Sequence, residues 1–513
     1  MAPPRLRFFG LLAVGVACRP SRPLPPSGSP DIVLFTVDTM RADRLGFAGH
    51  RPARTPHLDR LAAESVVFSQ AITPLTRTTP ALASLLSGTD PRGHGSWEVG
   101  APIATGTGLL SETLQARGWA TIGLSGTPVA SPKQGFDRGF DTFVVREDPS
   151  APELVQEALE KMKAVSPDRP VFLWIHVTDP HFPYDRDPAF PAVGPTERCD
   201  ALGRAFRKKP RQRWRIFSNH RDQSAAALSQ CQAAYDAEVA RVDAAFGLLL
   251  EGLGPRADGL IVFTADHGEN QGEGGLWYEH GPDASDATLR IPLVIGGPGI
   301  EPRLDDGTAR LQDISPTLLA RVAPTAVAAP TQPHRGVDLF GSDRPVAGAG
   351  LSASALHVGL TGYLRSGRAH KRSCLNVPEQ PVSWCTDGAF DRVADPTLKT
   401  PASPDAALQT TLTDAAERWP PEQARQWVAR TRDWKLVADP LWTGGYNLRL
   451  VSTADEWGAD QSSAHPDVVS ALQTVLLAAS ADAPIPGPAS TSTLATGLSP
   501  EEDAALRSLG YVE

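Results

Sequence analysis

The chain has no surplus of positive charge. Forty-nine Lys and Arg face 58 Asp and Glu, a formal net charge of -9 over 513 residues, which argues against a nucleic-acid-binding surface. One basic run, RAFRKKPRQRWR (Arg204 to Arg215), opposes that trend locally and reads as a solvated surface insertion. The N-terminal apolar stretch, Phe8 to Ala17, falls short of the roughly 20 residues a bilayer span needs. Internal repeats are absent, which sets aside solenoids and propellers. Cysteine is scarce, five residues in all. With Cys18 set aside, Cys199, Cys231, Cys374 and Cys385 remain, an even number that permits two disulfides in an exported chain. Sequence proximity favours Cys374–Cys385, with Cys199–Cys231 as the second pair.

What is present describes a globular protein, 41% hydrophobic and 21% charged. Its length allows one large domain plus a smaller one. Forty-eight prolines and 45 glycines imply firmly turned loops, because apolar strand-like runs recur between them. At the N-terminus, MAPPRLRFFGLLAVGVACRP sets two arginines before a short apolar core, the shape of a signal peptide. Small residues before Cys18 resemble a bacterial lipoprotein processing site. The expected location is therefore extracytoplasmic, in the periplasm or cell envelope, with a membrane tether through Cys18. Residues 1–18 are read as signal, 19–29 as a tether, 30–345 as the main unit, 346–475 as a C-terminal subdomain, 476–495 as a Pro/Ser/Thr/Ala linker and 496–513 as a last helix.

Buried-strand patterns occur in DIVLFTVD, PVFLWIHVTD, GLIVFTADHGE and IPLVIGGPG. Helical periodicity fills TPHLDRLAAESVVF, GLLSETLQARG, ELVQEALEKMKAV and QAAYDAEVARVDAAFGLLLEGL. Near-continuous apolar strands separated by helices predict an α/β protein, a mostly parallel sheet covered on both faces. Beyond about residue 345, GYLRSGRAHKRSCLNVP, QARQWVARTRDWKLVAD (read as helical) and YNLRLVST predict a smaller α+β appendage.

Active groups in such sheets gather beyond the C-terminal ends of strands. That draws together Asp38, Asp179 to His181, and Asp266-His267. Asp38, Asp266 and His267 offer two carboxylates and an imidazole from separate loops, a donor set suited to a divalent cation; Asp38 alone would read as a helix cap. His181, fixed between prolines, and His280, in GLWYEHG, are placed to hydrogen-bond an anionic oxygen or protonate a leaving group. In TPLTRTTPALASLLSG, Pro80 suits the first turn of a helix and Thr79 suits its cap. A hydroxyl just upstream would sit at an anion-favouring helix N-terminus, and a metal would activate it as a nucleophile. Periodicity does not choose among Thr76, Thr78 and Thr79.

The stretches VDTMRADRLGFAGH, TPLTRTTPALASLLSGTDPRGHG, HVTDPHFPY, FTADHGE, LRIPLVIGGPG, LQDISPTLL, RTRDWKLV and LRSLGYVE together resemble the sulfatase family of the alkaline-phosphatase-like superfamily, over roughly Asp31 to Val437 and the tail. The resemblance implies a three-layer α/β/α sandwich with a smaller C-terminal subdomain, hydrolysing phosphate or sulfate esters at a divalent metal: manganese, zinc, calcium or magnesium. It implies Thr78 as nucleophile, Asp38, Thr78, Asp266 and His267 as metal ligands, and His181 and His280 as catalytic contacts. Thr39 stands where a second carboxylate usually follows, and Leu82 where an arginine closes the nucleophile motif. GLSGTPVAS (Gly123 to Ser131) replaces a Gly-Lys-Trp-His-type segment. Threonine does not supply the aldehyde hydrate that sulfatases make from cysteine or serine, so phosphoester chemistry is favoured. Two alternatives stay open: sulfuric ester hydrolysis without formylglycine, and a non-catalytic surface-anchored binding protein. The expected partner is a small-molecule, glycan or lipid ester, with no nucleic acid.

Overall fold

A computed structural model describes residues 25, 28–184, 187–208, 225–273, 277–281, 284–323, 335–342, 348–351, 374–376, 382–385, 388–391, 427–440, 446–456 and 458–481. The signal peptide, Cys18, most of the basic run and the last helix lie outside them.

Four strands of six or seven residues are buried throughout. They are β1 (Ile32–Val37), β3 (Ala120–Ser125), β5 (Val171–Val177) and β6 (Leu260–Ala265). With β2 (Val66–Ile72), β4 (Thr142–Val145), β7 (Leu293–Gly296) and β8 (Arg303–Arg310) they form an eight-stranded sheet in the order β4-β3-β5-β1-β6-β7-β2-β8. β1 is parallel to both neighbours, with Ile32 opposite Phe172 and Leu260. Only β7 runs antiparallel, to β6 and to β2. Strands apolar on both faces need a helical layer on each side. One set of helices, Pro56–Ala63, Ala151–Met162 and Ala225–Leu253, packs together; another, Thr78–Ser87, Leu110–Ala116 and Ile314–Val322, forms the second set. The predicted three-layer sandwich is what the chain forms.

The C-terminal subdomain holds β9 (Gly348–Leu351), a three-stranded sheet of β10 (Cys374–Asn376), β11 (Val382–Cys385) and β12 (Gly388–Asp391), then β13 (Trp427–Arg430), β14 (Trp434–Pro440) and β15 (Tyr446–Ser452). The order β15-β14-β13-β9 makes a second sheet, covered by the helix Pro466–Ala481. Two expectations fail here. The described part of QARQWVARTRDWKLVAD, from Trp427 on, is no helix: Val428 and Val437 pack on Ile72 and Leu289 of the main body, while Ala429, Leu436 and Ala438 pack on Leu472 and Leu476. Alternation between two buried faces is the period of a strand. The helix also runs to Ala481, so the linker cannot begin at 476.

Cys199 and Cys231 form a disulfide between the helices Glu197–Lys208 and Ala225–Leu253. Cys374 and Cys385 are register partners across β10 and β11; their side chains lie outside the described residues.

Candidate active site

β1, β5 and β6 lie side by side and parallel, so their C-terminal ends open at one edge. Asp38 follows β1 and Asp266 follows β6, both buried. Their backbone N–H groups continue the ladders, Asp38 donating to Val177 O (2.9 Å) and Asp266 to Val37 O (3.2 Å). Between them the chain turns sharply at Thr39, φ 53°, a left-handed conformation that is costly for a β-branched residue. The turn aims the Thr39 N–H at Asp266 Oδ1, 3.2 Å away, and the His267 N–H reaches the same oxygen at 2.7 Å. Asp266 Oδ2 is buried and accepts no hydrogen bond among the described residues. Burial first, then the neighbouring Asp38 carboxylate, raises the Asp266 pKa well above the ordinary range.

His267 completes the cluster. Its Nδ1 lies 2.9 Å from the Gly268 carbonyl, which can only accept, so the ring proton sits on Nδ1. Nε2 therefore presents a lone pair, 3.3 Å from Asp266 Oδ2, 3.8 Å from Asp38 Oδ1 and 3.3 Å from Thr78 Oγ1. Burial pushes the ring's pKa down to about 3, so no proton at neutral pH offsets the lone pair's repulsion from two carboxylates. A divalent cation would. The oxygen and nitrogen donors converge as such an ion requires, and the residues fit the group the resemblance implies.

Thr78 is the first residue of the helix Thr78–Ser87 and is fully buried. Its position at a helix N-terminus puts backbone N–H groups beside any bound anion. Thr79 does not cap this helix, contrary to the sequence expectation; Arg77 occupies the N-cap position. The Thr79 hydroxyl instead donates to Val129 O (2.9 Å) and accepts from Gly100 N (2.8 Å), tying the helix to the GLSGTPVAS loop. Asp179 is also drawn elsewhere, accepting from Ala151 N at 2.6 Å and pairing with Arg241.

His280 stacks on His267 with ring centroids 4.4 Å apart, and His181 meets His280 edge-on at 5.1 Å. All six sequence-predicted residues thus converge. Burial, then the neighbouring His267, depresses the pKa of His280 well below its usual value, which disfavours the charged ring. Three groups were not anticipated. Glu269 places a carboxylate oxygen within 4.8 Å of ring nitrogens of His181 and His280, and burial raises its pKa to about 8. His176 places a ring nitrogen within 4.8 Å of Asp38 and Asp266 oxygens. Arg77 lies against Gly281 and pairs with Glu279 (3.7 Å). A histidine inside an apolar strand and an arginine one residue before Thr78 were the available signals.

The sulfatase family model matches residues 30–323, more than half of the chain. The chain belongs to the sulfatase family. Among curated relatives of this sulfatase-family chain, an ulvan-active sulfatase of Formosa agariphila is 27% identical over 56% of the chain and 61% of the relative's length. An arylsulfatase of Clostridium perfringens is 24% identical over 56% of the chain and 74% of that protein. In fold, the phosphonate monoester hydrolase from Silicibacter pomeroyi matches with a TM-score of 0.58 at 18% identity, covering 87% of the chain and 94% of its own.

Proposed function

We propose that this sulfatase-family chain is a divalent-metal-dependent hydrolase of phosphate or sulfate esters, with Thr78 as nucleophile and phosphoester chemistry favoured. The observation that carries the reading is the Thr78 hydroxyl, 3.3 Å from an unprotonated imidazole nitrogen beside two buried carboxylates. Asp38, Asp266, His267 and Thr78 Oγ1 would hold the metal. When bound, the cation supplies positive charge that lowers the hydroxyl's pKa and polarises the ester. Thr78 Oγ1 gives up its proton to solvent and attacks phosphorus in line; the bond to the departing oxygen breaks as the new one forms, and that oxygen takes a proton from water. His280 and Arg77 donate hydrogen bonds to the non-bridging oxygens, where charge accumulates. His181, half-buried at the rim with Nδ1 2.6 Å from the Phe182 carbonyl, faces the departing oxygen. Water then releases the threonine ester.

The substrate is proposed to be an ester carried by a small molecule, glycan or lipid. An extracytoplasmic location goes with this reading, supported by the signal-like N-terminus and the Cys199–Cys231 bridge, because disulfides persist in oxidising compartments. Sulfuric ester hydrolysis is the second reading, favoured by the names of the curated relatives and opposed by threonine at the nucleophile position.

A panel of aryl sulfate, phosphate monoester, phosphodiester and phosphonate monoester, with manganese, zinc or calcium, separates these readings. Phosphodiester or phosphonate turnover is expected, with a phosphoryl adduct on the Thr78 peptide after quenching. Dominant aryl sulfate turnover would favour the second reading. Thr78→Ala should lose about 1,000-fold or more in kcat with metal saturation verified, an effect on the scale of losing a principal catalytic group, while Thr78→Ser keeps measurable turnover. Full activity in Thr78→Ala would end the covalent mechanism.

A further inference from the structure

Thr39 stands where the resemblance implies a second carboxylate, which leaves the donor set one group short of the implied pattern. We propose that His176 fills that place: its Nε2 is a further ligand of the same cation, making the centre a two-imidazole, two-carboxylate site. This rests on the metal-dependent reading above.

The argument is an accounting of hydrogen bonds. His176 is the sixth residue of β5 and is fully buried. Its Nδ1 lies 3.1 Å from Thr36 Oγ1 on the adjoining β1. That hydroxyl accepts from Trp174 Nε1 (3.1 Å) and donates its single proton to Ile175 O (3.0 Å). What remains on Thr36 is an acceptor lone pair, which the Nδ1–H of His176 satisfies. The alternative tautomer would bury an Nε2–H with no acceptor, since Nε2 makes no hydrogen bond among the described residues. A buried unmet donor costs about 1–3 kcal/mol. Nε2 therefore carries a bare lone pair.

The placement of that lone pair gives it a use. A ring nitrogen of His176 and oxygens of Asp38 and Asp266 all lie within 4.8 Å of one another, and Nδ1 is engaged by Thr36. An ion with ligands at about 2.1 Å sets opposite donors ~4.2 Å apart, so small side-chain adjustments suffice. Two unprotonated imidazoles, His176 and His267, then approach the two carboxylates from separate strands. The hydrogen bonds that fix their tautomers, to Thr36 and to the Gly268 carbonyl, are of the kind that orient metal-bound histidines. A site with two nitrogen donors suits manganese or zinc over calcium and magnesium, which prefer oxygen.

Pulsed EPR of the full chain loaded with Mn²⁺ tests this without turnover. Wild type should show two coupled imidazole nitrogens; His176→Asn and His267→Ala should each show one, and His280→Ala should keep both. Thr36→Val, close in shape to the native residue, removes the partner of Nδ1 together with those of Trp174 Nε1 and Ile175 O, so its fold is verified by circular dichroism before metal is added. It should weaken Mn²⁺ binding by about 10–100-fold, and His176→Asn should weaken it further. A single nitrogen in wild type, or two in His176→Asn, would overturn the assignment while leaving the metal site standing. No bound Mn²⁺ in wild type would instead remove the metal-dependent reading itself, and the ligand assignment with it.

Discussion

Thr78 and Thr79 are neighbours in sequence with separate tasks, and substitutions should separate them. Thr79 makes two hydrogen bonds to loops, a buried one to Val129 O and a part-buried one from Gly100 N. Thr79→Val should therefore cost about 1–3 kcal/mol in stability with kcat little changed, read by denaturant unfolding beside steady-state kinetics. Arg77 is a test of substrate charge. Leu82 provides no cation where the resemblance implies arginine, and Arg77 stands close enough to help hold the His267 and His280 pKa values down. Arg77→Ala should lower kcat/KM by about 10–100-fold, the scale of a charge-assisted hydrogen bond, with Arg77→Lys recovering part. Unchanged kcat/KM in Arg77→Ala would assign Arg77 to its pairing with Glu279 alone.

Helix Thr78–Ser87 is held in place by a histidine that sequence reading passed over. His94 Nδ1 accepts from Ser96 N (3.1 Å), and its Nε2 lies 2.9 Å from Ser84 Oγ, which donates to Pro80 O at 2.8 Å. Burial lowers the His94 pKa from 6.5 to about 3. Between those values the unfolded chain binds a proton that the folded chain refuses, so this stabilisation is present above pH 6.5 and lost as pH falls toward 3. His94→Gln should be less stable than wild type at pH 7.5, with the gap shrinking below pH 6.5 by up to about 1.4 kcal/mol per unit. A pH-independent gap in thermal melts would contradict it. The same element shows what sequence makes legible. Apolar runs ending in Asp38 and Asp266 announced buried parallel strands with carboxylates at their tips, because burial on both faces writes an unbroken pattern. The β13–β14 hairpin was missed because charged Arg430 and Lys435 break its alternation, and both are buried only through tertiary pairing. His176 was missed for a related reason: its meaning depends on which strands flank β5, and periodicity carries no strand order.

That pairing joins the two parts of the molecule. Asp286 receives Arg430 Nη2 at 2.7 Å and Lys435 Nζ at 3.4 Å, while Lys435 also reaches Glu456 at 2.7 Å. Burial alone would raise the Asp286 pKa, but Lys435 and Arg430 hold it at about 2. Glu456, just after β15, in turn accepts from Asp286 N at 2.8 Å, so the C-terminal subdomain grips both the side chain and the backbone of the helix Asp286–Leu289. Two residues further on, Thr288 O accepts from Gly268 N at 2.8 Å, beside His267. The subdomain thus braces the loop that carries two of the proposed ligands, none of which comes from its own described residues. Arg430→Ala would leave Asp286 buried with a weakened partner set, and breaking a buried ion pair from one side costs about 3–5 kcal/mol. The expected result is a lower Tm, faster hydrogen exchange over residues 266–290, and weaker divalent-metal binding with Asp38, Asp266 and His267 all intact. Arg430→Lys should recover part of the Tm, because it keeps the charge while losing the fork that spans Asp286 and Gln70. If Arg430→Ala lowered Tm while metal affinity and exchange over 266–290 stayed at wild-type values, the subdomain would contribute stability alone, and the bracing of the metal loop would be wrong.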